Sequence, residues 1–323
     1  MGKNGVFSII IAALNEEEHV GKLVRSIFDQ SYRPMEIIFV DDGSADDTLR
    51  IVRKLKAELS SKGFTIDIFE TRRDYYCTGA WAAWNLGLIK AKGEYILFLP
   101  GDAQFIEVDT LNKIKENLVD NQVVSFYFKP IIDNQLEFNI ALDFNPRKRP
   151  FYCAYQSDLI RKVTLDPHLG VGGDWDLSKR LEESGLIKNH AKIEAEIGIH
   201  WPHTYLEYSG QRFWRGRTVW PLLRKYPTTN VLFRRILFPI STIYLLFMSI
   251  ASLFVDLRFS VFFMLIFFLV VLYFFLESPV KTLNRLLHLI FVRFLFGSFI
   301  WCLGLIYGFC QYFIKREFHH KKG

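Results

Sequence analysis

Leu97-Phe98-Leu99-Pro100-Gly101-Asp102-Ala103-Gln104 is the stretch around which the rest of the chain can be read. The apolar run Tyr95 to Leu99 predicts a short buried strand, and Pro-Gly ends it abruptly. An acid and an amide then follow two positions apart. If the backbone leaves the strand extended, Asp102 and Gln104 point the same way. Two oxygen ligands converging where a strand runs out suit a hard divalent cation, Mg²⁺ or Mn²⁺. In open α/β sheets that edge is where ligands bind. Taken alone, the same residues also describe a turn closed by an aspartate, so the surroundings must decide.

Upstream, Phe7 to Ala12 is a β-rich run, and Asn15 with three glutamates opens a helix carrying Val20, Leu23, Val24 and Ile27. Met35 to Val40 predicts the next strand, followed by Asp41-Asp42-Gly43-Ser44 and a helix over 46–59 with Leu49, Val52 and Leu55 on one side. Strands over 64–69 and 94–99 alternate with helices over 80–91 and 108–118. This alternation with short connections predicts an α/β fold, Rossmann-like, with a mostly parallel sheet and helices on both faces. Asn15-Glu16, Asp41-Asp42 and Asp102 then all fall at carboxyl ends of strands. Beyond Gln122 the alternation lapses: 123–128 and 151–155 read as strands around a polar stretch containing Arg147-Lys148-Arg149. Gly170-Val171-Gly172-Gly173-Asp174-Trp175-Asp176 follows, a glycine hinge opening a helix with acids in its first turn.

Half of the 323 residues are hydrophobic, but unevenly so. Ile236 to Val255, Phe259 to Leu276 and Phe294 to Ile314 are three uncharged or nearly uncharged runs of 20, 18 and 21 residues, each long enough to cross a bilayer core. The start lacks a signal-peptide pattern, which predicts a cytoplasmic soluble part and a multi-pass protein of the cell membrane. Cys77, Cys153, Cys302 and Cys310 show no metal-ligand spacing and are expected reduced. The net charge of +6 conceals a block, Gln211 to Arg235, with seven Arg or Lys and no acid. A basic block abutting an apolar span favours anionic lipid over nucleic acid. Within Tyr205 to Tyr226, aromatic and basic residues interleave, as in a helix lying at a membrane interface. The expected organisation is a sheet domain over 1–204, an interfacial segment over 205–230 and a membrane domain over 231–323. Three crossings would place Lys315, Arg316, Lys321 and Lys322 outside, against the positive-inside tendency. The alternative is a re-entrant or interfacial third segment. Gly304 and Gly308 have the spacing that lets helices approach closely, within the chain or between subunits of a homo-oligomer.

The order of motifs resembles glycosyltransferase family 2, the inverting GT-A enzymes that use nucleotide sugars. The residues carrying the resemblance are Ser8 to Glu16, Glu36 to Ser44 with Asp46 and Thr48, Asn85-Leu86-Gly87, Gly93 to Ile96, Asp102, and Gly173-Asp174 with Asp176-Leu177 and Arg180-Leu181. The resemblance implies that Ala13, Leu14, Glu16, Asp42 and Asp102 bind a UDP- or GDP-linked donor, with Asp42 against the base. It implies that Asp102 holds the metal with Gln104, the latter as in the dolichyl-phosphate mannose synthase branch. His200 matches a histidine often found after the acceptor helix, a metal or phosphate ligand there, although a histidine among aromatics also suits a structural role. Asp174 matches the general base, whose residue-level alternative is a helix N-cap. Asp176 is expected to act beside it, holding the acceptor or the helix start. Arg212, Arg215 and Arg217 would clamp a pyrophosphate, or else face solvent and headgroups.

Departures from the pattern bear on the chemistry. The first acid of the usual Asp-x-Asp is Pro100, and the usual Glu-Asp pair is Gly173-Asp174. The signature of processive synthases is scrambled in Gln211-Arg212-Phe213-Trp214-Arg215, which argues against a polymerase. The expected function is metal-dependent, inverting transfer of a sugar to a polyprenyl or dolichyl phosphate, or to a saccharide linked to one. The alternatives are a non-lipid acceptor and a non-catalytic membrane scaffold.

Overall fold

The computed structural model describes residues 5–71, 79–126, 128–143, 152–194, 197–227, 238–254 and 256–320. In chain order the elements are β1 (Phe7–Ala13), α1 (Val20–Phe28), β2 (Met35–Asp41), α2 (Thr48–Ser60), β3 (Ile66–Glu70), α3 (Ala80–Lys90) and β4 (Tyr95–Pro100). There follow β5 (Ala103–Phe105), α4 (Thr110–Asp120), β6 (Val123–Phe126), β7 (Phe128–Ile131), α5 (Gln135–Asp143), β8 (Tyr152–Gln156), α6 (Ser157–Val163) and α7 (Gly173–Glu183). Then come β9 (His190–Lys192), β10 (Ile197–His200), α8 (Tyr205–Arg217), α9 (Trp220–Lys225), α10 (Phe238–Ser252), α11 (Leu257–Glu277) and α12 (Leu283–Leu287). A π-helical stretch, His288–Phe296, runs on into α13 (Gly297–His320). Arg147-Lys148-Arg149, Arg234, Arg235 and Cys77 lie outside the described residues.

The chain divides into two compact units, residues 1–132 with 145–201, and residues 133–144 with 202–323. The first holds a sheet in the order β3-β2-β1-β4-β8-β6-β9 and a three-stranded sheet β5-β10-β7. Strands β3, β2, β1 and β4 are mutually parallel, and β8 runs antiparallel to both β4 and β6.

All seven residues of β1 are buried, because both faces of the sheet are covered. Phe7, Ile9, Ile11 and Ala13 point into one core with Val20, Leu23, Val24 and Ile27 of α1 and Val52, Leu55 and Leu59 of α2. Ile10 and Ala12 point into the other, with Trp84 of α3, Ile160 of α6 and Leu177 and Leu181 of α7. The helical spacing read from the sequence is therefore the buried face of each helix. Gly87 lets α3 lie close on the sheet, since a Cβ there would collide with Ile10.

Two differences from the expected elements concern the site. The apolar run read as one strand over 123–128 is two strands, β6 and β7, in different sheets. Beyond Pro100 the chain does not stay extended. It turns at Gly101–Asp102 and enters β5, which pairs antiparallel with β10.

In the second unit, Thr204 caps α8: its Oγ1 accepts from Glu207 N at 3.2 Å, and Glu207 Oε2 accepts from His203 N, just before the cap, at 3.1 Å. The helix then lies against α13 with backbones in contact. A Cβ at Gly216 would collide with the Trp301 carbonyl, at Gly304 with that of Phe213, and at Gly308 with that of Arg217. The small-residue spacing of Gly304 and Gly308 thus serves a contact within the chain. Residues 205–217, expected as a separate interfacial segment, form one layer of this helix pair.

Helices α11 (21 residues) and the continuous stretch Leu283–Gln311 (29 residues) are long and apolar enough to cross a bilayer by length and composition. Of the first expected span, the described residues 238–252 form the 15-residue helix α10.

Candidate functional site

The parallel register sets the site's frame. Ala13 of β1 lies opposite Asp41 of β2, and Ala12 lies opposite Pro100 of β4. Asp42 N donates to Ala13 O at 2.8 Å and Gly101 N to Ala12 O at 2.9 Å, so both acid-bearing chains leave the sheet at one level. The clusters at 13–16, 41–42 and 101–102 share this carboxyl edge. Gly101 sits against the β1 exit, where a Cβ would stand 2.8 Å from both Ala13 Cβ and Glu16 Cγ.

The loops after β1 and β2 are laced together. Asn15 adopts the left-handed conformation at φ 55°, one that asparagine tolerates better than most residues. Its N–H donates to Ser44 Oγ at 2.9 Å, and its Oδ1 accepts from Ala45 N at 2.8 Å. Glu16 N donates to Thr48 Oγ1 at 2.7 Å. Leu14 is left exposed beside this lacing and Ala13 is buried beneath it.

The three acids at this edge differ in state. Asp42 is buried and anchored: Oδ1 accepts from Thr71 Oγ1 at 2.7 Å and Oδ2 from Gly79 N at 2.9 Å. Asp41 Oδ2 accepts from Gly43 N and Ser44 N, both at 2.9 Å, while its Oδ1 is enclosed without a hydrogen-bond partner among the described residues. Asp102 also has an enclosed Oδ1 without a hydrogen-bond partner among the described residues. Loss of water around that oxygen pushes the Asp102 carboxyl up to about 7.

His200 ends β10 and is buried, its backbone N–H donating to Asp102 O at 3.1 Å. Its ring stacks on His19, centroids 4.1 Å apart and 19° from parallel. Gln104 does not join Asp102 as expected. The turn at Gly101–Asp102 breaks the extended geometry that would align them, and Gln104 enters β5 opposite Gly198. There it lines a surface hollow with Lys22, Arg25, Ser26 and Asp29.

Helix α7 brings its acids from the other core. Gly172 precedes it at φ 86°, a left-handed turn that suits glycine. Gly173 packs on the face of Trp81, where a Cβ would collide with the indole, so the position that carries an acid in the family motif is filled here by a ring from α3. Trp81 in turn follows Gly79, the residue donating to Asp42. Asp174 is buried in this first turn.

Of the two roles expected for Asp176, holding the acceptor or the helix start, its hydrogen bonding fits the second. Asp176 is fully buried and accepts from Arg180 Nε at 2.8 Å, while Arg180 also donates to Val163 O at 2.6 Å and Thr164 O at 3.1 Å. Through Arg180, its carboxylate ties α7 to the end of α6. Arg212, Arg215 and Arg217 all belong to the second unit. Arg212 Nε donates to Gly297 O at 3.2 Å, which commits it to the α8–α13 pair.

Sequence reasoning placed Asp41 at this edge beside Asp42, but missed His19 and the ring of Trp81 over Gly173. Asp41 was legible as half of Asp41-Asp42, but nothing in the pattern said which acid would be enclosed. The ring over Gly173 could have been sought once the family's acid was seen to be missing there.

A divalent cation fits this edge. Among the described residues the enclosed Asp102 Oδ1 lacks a partner, and a carboxylate oxygen is the donor that Mg²⁺ or Mn²⁺ prefers.

Residues 8–168 match the family described as Glycosyl transferase family 2. Over 107 residues the chain is 39% identical to the UDP-Glc:alpha-D-GlcNAc-diphosphoundecaprenol beta-1,3-glucosyltransferase WfaP of Escherichia coli. That match covers 33% of this chain and 39% of the relative, so the chain spans less than half of that relative's length. Among solved structures, the mannosyltransferase PcManGT of Pyrobaculum calidifontis, in complex with GDP-Man and Mn²⁺, is similar with a TM-score of 0.61 at 15% identity, covering 94% of this chain and 87% of that one. TarS 1-349 of S. aureus, in complex with UDP-GlcNAc, is similar with a TM-score of 0.51 at 15% identity, covering 78% of this chain and 82% of that one. At such identities these two are likenesses of fold.

Proposed function

We propose a specific reaction for this chain, a glycosyltransferase whose residues 8–168 are a family 2 domain on a GT-A-like fold. It transfers one sugar, with inversion, from a nucleotide-sugar donor to a membrane-borne polyprenyl or dolichyl phosphate, or to a saccharide already linked to one.

The observation that carries this reading is the pairing of an anchored acid, Asp42, with an enclosed and unpartnered one, Asp102, at one sheet edge. Asp42 is held rigid by its two partners and receives the base through a ring N–H. Ala13, Leu14 and Glu16 form the pocket wall over which the nucleoside lies. Asp102 holds a divalent cation, with His200 beside it. Bound there, the cation supplies charge neutralisation for the departing diphosphate. The donor is UDP- or GDP-linked, in keeping with the ligands named for the two similar structures.

Asp174 opens α7 next to Trp81 and takes the proton from an acceptor hydroxyl. Where the acceptor is a lipid phosphate, its oxygen is already ionised and Asp174 orients it. The membrane-borne acceptor is supported by the outward apolar faces of α10, α11 and α13 and by the lipid-linked acceptor in the E. coli relative's name. Phe247, Phe262, Leu265, Phe268, Leu272 and Ile306 are among more than a dozen large apolar side chains left exposed on these helices. A soluble surface would not carry them. Confining donor site and acceptor to one surface raises their encounter and fixes orientation.

The test is to incubate membranes holding the protein with a panel of radiolabelled UDP- and GDP-sugars, then extract the lipids. Label from one donor should enter the organic phase. Label passing only to water-soluble acceptors would replace this reading with the non-lipid one.

A further inference from the structure

We infer that two segments cross the bilayer as a hairpin, the uncharged run 236–255 that holds α10 and then helix α11, while the last long helix lies in the plane of one leaflet. The C-terminus then stays on the side from which the hairpin enters. This rests on the reading that the apolar helices meet a bilayer.

Composition alone would let 283–311 span the membrane. What lies against it argues otherwise. α8 runs beside α13 in parallel, from Arg212 at Gly297 to Arg217 at Gly308. Trp220 Nε1 continues the contact, donating to Leu305 O at 2.9 Å, with its ring 5.2 Å from that of Phe309. Were α13 transbilayer, α8 would carry Glu207, Arg212, Arg215 and Arg217 into hydrocarbon, where such residues are rare and costly.

In the plane of the leaflet the conflict disappears. The face of α13 toward α8 is small or buried: Gly297, Ser298, Trp301, Gly304, Leu305 and Gly308. Its opposite face exposes Phe299, Leu303, Ile306 and Phe309. The pair is a two-layer slab, apolar on the outer face of α13 and with its charges confined to α8, which is the form of an interfacial element.

The hairpin differs. α10 and α11 are joined by residues 253–256, and Ser260 Oγ donates to Ser249 O at 2.6 Å across the pair. The 21 residues of α11 extend about 31 Å, close to the ~30 Å of a bilayer core. Charges mark both of its ends, Asp256 and Arg258 at one and Glu277 and Lys281 at the other. The hairpin tip therefore reaches the far headgroups, and the chain returns.

The side to which it returns is fixed by Arg285, buried at the start of the final helix. Its Nη1 donates to Asn139 O at 3.0 Å. Asn139 lies in α5, which follows β7 after residues 132–134, a connection reaching only ~10 Å. Arg285 and the sheet unit therefore share one side of the membrane. An in-plane final helix then leaves Lys315, Arg316, Lys321 and Lys322 on that side, with the basic block of 211–235, in keeping with the positive-inside rule.

The test uses the full chain in two forms, fused at its C-terminus to a fluorescent protein that matures only in the cytoplasm or to a phosphatase active only outside. Fluorescence without phosphatase activity is expected, and the reverse overturns the inference. In a variant with the four cysteines changed to serine, Phe299→Cys, Leu303→Cys and Ile306→Cys are then spin-labelled and their depths measured, with retained sugar transfer as the check on folding. All three should sit at one shallow depth, whereas a crossing helix would spread them over about 10 Å. Protein found wholly in the soluble fraction would sink the membrane reading itself. Membrane-bound protein with an external terminus would sink only this topology.

Discussion

Asp102→Asn separates the electrostatics of the proposed metal site from its packing. The Asp102 carboxyl is pushed up to about 7 by burial, against an ordinary value near 3.8. Between those pH values the folded chain binds a proton that the unfolded chain has released. Stability therefore falls as pH rises from about 4 to about 7, and is flat above. At ~1.4 kcal/mol per pH unit of displacement, the ionised carboxylate costs the metal-free fold about 4 kcal/mol at most, and less to the extent that water reaches its second oxygen. Asparagine keeps the shape without the charge. In a thermal melt without metal, the variant should exceed wild type by several degrees at pH 8 and converge with it near pH 4. Mn²⁺ should reverse the order by stabilising wild type alone, its affinity rising about tenfold per pH unit until Asp102 is ionised near pH 7. A melting difference independent of pH, or equal stabilisation of the variant by Mn²⁺, would refute the reasoning.

Four further substitutions address separate parts of the account. Asp42→Ala strips the acceptor from Gly79 N and Thr71 Oγ1, and nucleotide binding by calorimetry should weaken roughly ten- to a hundredfold, about 1–3 kcal/mol. Asp174→Asn should lower turnover about 10²- to 10⁴-fold with a hydroxyl acceptor and leave the melt unchanged. Asp176→Asn should instead destabilise by about 3–5 kcal/mol, because it leaves the Arg180 charge partly buried without its carboxylate, with activity lost only in proportion to unfolding. Gly304→Leu should drive α8 off α13 and lower the melting temperature in detergent. An unchanged melt would show that the two backbones do not meet there.

Much of the first unit was legible because its signals are local and redundant. Val20, Leu23, Val24 and Ile27 recur at helical spacing, and the β1 and β4 runs are continuous, as buried parallel strands must be. Once the alternation was read, topology placed Asp42 and Asp102 at one edge. What failed was geometry over a few residues. Asp102 and Gln104 align only on an extended chain, and the turn at Gly101 is decided by β5 pairing with β10, almost a hundred residues away. Asp176 looked catalytic because acids in a first turn satisfy the helix dipole and a base equally well, and only Arg180 reaching to α6 distinguishes the two. Hydropathy likewise found the apolar helices, but could not see that α8 lies along one of them.

The most direct measurement is a crystal structure with Mn²⁺ and GDP or UDP, with the manganese located by its anomalous scattering. The account predicts one strong peak bonded to Asp102 and to the diphosphate, with the base within hydrogen-bonding distance of Asp42. Manganese held elsewhere, or a nucleotide that leaves Asp42 and Asp102 in separate pockets, would contradict it.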